Sequence, residues 1–139
     1  MLKGISSILS PELLKILMEM GHGDELVIGD GNFPAAAYAR RLVRLDGHGV
    51  PQILEAILQL YPLDKYADNV IMMEVPATDP VETPIWETYR KIALEDPHFK
   101  GFVFEERFAF YERAKKAYAI IATGESAIYA NIIIKKGVV

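Results

Sequence analysis

The chain has 139 residues, half of them hydrophobic and a quarter charged, with 15 basic against 19 acidic side chains and no cysteine. That length and balance suit one globular domain with a core. The lack of cysteine excludes disulfides, thiolate metal sites and thiol nucleophiles. The formal charge of −4 argues against nucleic acid as a partner, since neutralising phosphates takes a basic surface. No apolar run approaches the ~20 residues that span a bilayer, and MLKGISSILSPELL lacks a sustained apolar signal segment. No membrane partner and a cytoplasmic location are therefore expected.

Ser10 before Pro11 is a helix start, a capping hydroxyl followed by proline at the first helical position. Leu13, Leu14, Leu17 and Met18 recur at helical spacing, which predicts a helix over residues 11–20 that stops at Gly21. Residues 25–29 read as a short buried strand. Asn32-Phe33-Pro34 is loop chemistry, and the alanines that follow can start a short helix. A strand is expected at 42–45, closed by Asp46-Gly47, then a helix at 51–60 with Ile53, Leu54, Ile57 and Leu58 on one side. Residues 70–75 form a strand, followed by a loop rich in Pro, Thr and Asp. Thr83-Pro84 repeats the logic of Ser10-Pro11 and predicts a helix to about 95. A strand at 101–104, a helix at 108–116 and strands at 118–122 and 132–134 complete the chain, with Thr123-Gly124-Glu125 as a turn. This alternation predicts a three-layer α/β/α single domain over residues 1–139, with a largely parallel or mixed sheet.

The segment Gly21-His22-Gly23-Asp24-Glu25-Leu26-Val27-Ile28-Gly29-Asp30 carries the most chemistry. A histidine side chain can give and take a proton near neutral pH. Asp30 follows a strand, and in open α/β sheets ligands bind at strand ends of that kind. Asp30-Gly31 also reads as a simple turn. The other histidines, His48 and His98, lie in loops, and no pair has metal-site spacing. Arg107 follows Glu105-Glu106 and reads either as a surface ion pair or as a forked donor to a substrate hydroxyl. Tyr111, inside Phe108-Ala109-Phe110-Tyr111, fits a core position as well as a catalytic one. Tyr129 and Asn131, two apart at a strand start, are expected on one face, suited to hydroxyl recognition or to an ordinary sheet edge.

GHGDELVIGD at 21–30, RFAFYERAKKA at 107–117 and YANIIIKKGV at 129–138, in that order and spacing, resemble the family of L-fucose mutarotases and D-ribose pyranases. Arg107 resembles the fucose branch, because a histidine is expected there in the ribose branch. Asn32 stands where some relatives carry a histidine. The resemblance implies an enzyme that interconverts the anomers of a free sugar, most simply L-fucose, without metal or cofactor. It implies His22 as proton donor and Asp30 and Arg107 as ligands of sugar hydroxyls. Tyr129, Ala130 and Asn131 would line the sugar site, and Tyr111 would take a catalytic role. It also implies a ring-shaped homo-oligomer, commonly a decamer, with sites near subunit contacts. A ribose-type enzyme and a non-catalytic monosaccharide-binding module are the alternatives.

One geometric tension accompanies these assignments. If residues 25–29 form a straight strand, His22 and Asp30 stand at its opposite ends, up to about 26 Å apart at ~3.3 Å per residue. Either the chain bends sharply between them, or two different subunits supply the two side chains of one site, which is the arrangement expected.

Overall fold

A computed structural model describes residues 1–139. Helix α1 (Pro11–Glu19) starts as the sequence predicts: the Ser10 hydroxyl accepts the Leu13 N–H at 3.1 Å. It ends one residue before the expected stop, at Met20, whose extended backbone closes the helix. Strand β1 (Glu25–Gly29) follows, then the short helix α2 (Ala35–Tyr38) in the segment of mixed signals, then β2 (Leu42–Leu45). Helix α3 (Val50–Leu58) is opened by Gln52, whose side chain accepts the Gly49 N–H at 3.0 Å. Strand β3 (Val70–Met73) leads through a long loop to α4 (Ile85–Ala93). The Thr83 hydroxyl does not cap that helix. Its carbonyl accepts the Trp86 N–H at 3.0 Å, and Pro84 stands at the cap position without a side-chain bond. Strand β4 (Val103–Glu105) and helix α5 (Arg107–Lys116) are followed by β5 (Ala119–Thr123) and β6 (Ile132–Lys135).

The six strands form one sheet in the order β2-β5-β1-β6-β3-β4. Strand β6 runs antiparallel to both its neighbours, β1 and β3, while the other pairs are parallel. The sheet is thus mixed, with a single reversed strand inside it. Alternation along the strands divides the core between two faces. Leu26, Ile28, Met72, Ile121, Ile132 and Ile134 pack with α1, α3 and α4 on one face. Val27, Ile71, Ile120 and Ile133 pack with α2 and α5 on the other. Helices on both faces give the three layers expected. No helix is long and apolar enough to cross a membrane.

The parallel strands all end on one edge of the sheet, and β6 begins there. Asp30, the 129–131 segment and the start of α5 therefore meet at this carboxyl edge. His22 precedes β1 and lies at the opposite, amino edge.

Candidate active site

Asp30 is the first residue past β1 and is only 6% exposed. Its Oδ1 accepts the Asn32 N–H at 3.0 Å and its Oδ2 the Ala130 N–H at 3.4 Å. Its own N–H donates to Asn131 Oδ1 at 2.8 Å, so β1 and the start of β6 are laced together through both side chains. Burial pushes the Asp30 carboxyl above the ordinary carboxylate range. The N–H groups of Asn32, Ala130 and Phe33 oppose that shift without cancelling it. The turn reading of Asp30-Gly31 is therefore incomplete. A solvent-facing turn would not bury the carboxylate between two strands.

The 129–131 segment departs from the expected strand geometry. Tyr129 has φ +53°, a left-handed conformation uncommon for a residue with a side chain. The same-face argument for Tyr129 and Asn131 fails for that reason, because it holds only for extended backbone. The strip still converges on Asp30, with Asn131 5% exposed and Ala130 fully buried. The Tyr129 hydroxyl donates to Asp79 Oδ2 at 3.2 Å, an acceptor from the long loop before α4. Desolvation and then Asp79 raise the Tyr129 pKa, which keeps it a neutral donor.

Arg107 opens α5, and its position removes the ion-pair reading. Glu105 pairs instead with Arg113 at 2.6 Å, and Glu106 caps α5 by accepting the N–H groups of Phe108 and Ala109. The Arg107 Nε–H donates to the Tyr111 hydroxyl at 3.0 Å, one helical turn on. Tyr111 lies edge-on to Phe33, centroids 5.7 Å apart, and beside Tyr38 at 5.4 Å. Phe33 reaches this position because Gly29 has no side chain: a Cβ there would come within 2.8 Å of Phe33. The positive charge of Arg107 opposes the rise in the Tyr129 pKa without cancelling it. Phe110, by contrast, is fully buried beneath the sheet.

His22 stands apart from this cluster. Gly23 after it has φ +86°, a conformation that favours glycine, and its N–H donates to the Lys136 carbonyl at 2.8 Å. The half-exposed imidazole places Nε2 at 3.1 Å from Asp64 Oδ1, with the Tyr66 ring at 5.6 Å between centroids. Asp64 is 3% exposed. Burial pushes its carboxyl up, but the Tyr66 N–H, the His22 hydrogen bond and the charges of His22 and Lys135 outweigh that and hold it below its ordinary value. Between His22 and Asp30 lies all of β1, four steps or about 13 Å of strand even before the flanking residues are added. One chain does not bring the two together.

The structure adds Asp64, Tyr66 and Asp79 to the side chains that sequence singles out. Asp64 is 42 residues from His22 along the chain, so no local pattern links them. A cavity of about 660 Å³ contains none of these groups. It is an apolar space between α1, Tyr61, Pro62 and the C-terminal valines.

Known proteins share this architecture along its whole length. A fucose mutarotase of Bos taurus is 50% identical over 144 residues, covering 99% of this chain and 94% of that protein. The crystal structure of a Streptococcus pneumoniae fucose mutarotase in complex with L-fucose is 50% identical, covers 99% of both chains and superposes with a TM-score of 0.92. The structure of FucU from Bifidobacterium longum is 54% identical over 99% of both chains, with a TM-score of 0.95. Residues 3–139 match the family profile described as the RbsD / FucU transport protein family, and the chain belongs to that family.

Proposed function

We infer that this protein is a fucose mutarotase, an isomerase that interconverts the α and β anomers of free L-fucose. The observation that carries the reading is its likeness, at 50% identity over 99% of the chain, to a mutarotase solved with that sugar. The chemistry at the two edges of the sheet suits the reaction. Mutarotation opens a cyclic hemiacetal: the bond from C1 to the ring oxygen breaks, that oxygen gains a proton, and the anomeric hydroxyl loses one as the aldehyde forms. Closure on the other face of C1 reverses each step, so no net proton is consumed.

We assign proton delivery at the ring oxygen to His22. Asp64 is an ionised acceptor, so the imidazole nitrogen beside it, Nε2, carries hydrogen. Nδ1 is then the nitrogen that gives or takes the proton. We assign the anomeric oxygen to Tyr111. Arg107 Nε–H already donates to the phenol oxygen, which leaves the Tyr111 O–H free to donate to the aldehyde oxygen of the open form, while solvent water takes the proton that the anomeric hydroxyl loses and returns it on closure. Asp30 and Arg107 grip the distal hydroxyls and Tyr129, Ala130 and Asn131 line the sugar site, while C1 stays free to turn about the C1–C2 bond. Exposed Phe108 offers an apolar wall for the C5 methyl group, backed by Tyr111 and the buried Phe33.

The opposite placement of His22 and Asp30 supports a site shared between copies. In this reading His22 of one subunit completes the Asp30 cluster of its neighbour in a ring, of which a decamer is one closure. Saturation-transfer NMR on L-fucose, D-ribose and D-galactose tests the activity. Accelerated exchange between L-fucose anomers is the expected result, and binding without exchange would overturn it.

A further inference from the structure

Tyr129 poses a problem that the sugar reading leaves open. A left-handed tyrosine strains the backbone and persists only where its surroundings hold it. Two side chains of α4 do so. The Trp86 indole N–H donates to the Tyr129 carbonyl at 2.8 Å. The Tyr89 hydroxyl donates to the Ala130 carbonyl at 2.7 Å. Three residues apart on one helix, they present their donors side by side. Tyr89 is wholly buried, so its hydroxyl has no solvent to turn to. The carbonyls of the strip are thus fixed from behind by α4, while the Ala130 N–H is fixed from the front by Asp30.

We propose that Trp86 and Tyr89 are positioning residues, which clamp the 129–131 strip in the shape that grips the sugar; this rests on the reading of that strip as part of the sugar site. Neither side chain is assigned a contact with substrate. Their effect passes through two peptide groups to the Tyr129 phenol and the Asn131 amide.

Trp86→Phe and Tyr89→Phe remove the donors and keep an aromatic ring in place. Anomer exchange of L-fucose is measured against sugar concentration well below the melting temperature of each protein, beside Ile16→Val, a core trimming in α1. The clamp predicts KM raised about ten-fold in each aromatic variant with kcat within about two-fold, since distal gripping is loosened and the proton-transfer groups are untouched. Ile16→Val should lower the melting temperature and leave KM alone. A parental KM in either aromatic variant, with its melting temperature lowered, would show a merely structural hydrogen bond and overturn that residue's role. A parent protein that neither binds nor exchanges L-fucose would overturn the site reading and the clamp together. A parent that exchanges the sugar while both variants match it overturns the clamp alone.

Discussion

Asp30 and Asp64 are both buried carboxylates, and their surroundings push them in opposite directions. Asp30 is raised by desolvation, while hydrogen bonds and nearby positive charge hold Asp64 down. An unfolded aspartate titrates near ~3.9. Between that value and its raised folded pKa, native Asp30 keeps a proton that the unfolded chain has released. Stability therefore falls as pH rises through that window. Urea unfolding of Asp30→Asn and parent should show the balance moving toward the amide variant from about pH 3 to neutrality. Asp64 has the reverse sign. Its contribution is present above the unfolded pKa and fades as pH falls through the folded one, so Asp64→Asn should be most destabilising near neutral pH. At the chemistry itself, His22→Ala should still bind L-fucose and lose about 10²–10⁴-fold in exchange rate, the usual weight of a general acid. Undiminished exchange in that variant would remove His22 from the mechanism.

At the scale of elements, legibility followed how local each signal is. Ser10-Pro11 announces α1 because the cap and the first helical residue are neighbours, and the structure forms that cap. Thr83-Pro84 repeats the pattern of a hydroxyl before proline without a cap, because Pro84 itself takes the cap position. Glu105-Glu106-Arg107 suggests an ion pair, yet strand and helix ends turn the two glutamates toward Arg113 and the α5 N-terminus. The left-handed Tyr129 lies where Trp86 bonds its own carbonyl from 43 residues away and Tyr89 bonds the Ala130 carbonyl from 41, which no periodicity reports. The role of Gly29 at the end of β1 is not legible in the chain either, since the neighbour that fills its missing side chain, Phe33, is set there by the fold. Gly29→Ala should force Phe33 aside, destabilise the fold by about 1–3 kcal/mol as an overpacked site does, and disturb Tyr111 with it. Denaturant midpoints and the exchange assay measure the two effects.

Across the whole molecule, the mixed three-layer sheet sorts the candidate groups into two sets. Five parallel strands deliver Asp30 and α5 to one edge, and the reversed β6 starts there with Asn131 beside Asp30. The His22–Asp64 pair stays at the other edge. The alternation of helices and strands made this architecture readable in the chain, and so did the length of β1, which already separates His22 from Asp30. Strand order was not readable, because pairing of β6 between β1 and β3 depends on contacts far apart in sequence. The proposed site then needs an assembly that unites the edges. Mixing subunits tests this most directly. His22→Ala and Asp30→Asn are each expected to be inactive alone. Unfolded together in equal amounts and refolded, they should regain about a quarter of parental L-fucose exchange, the share of random contacts that pair an intact His22 with an intact Asp30. Mixed oligomers with no recovered exchange would contradict a site shared between subunits.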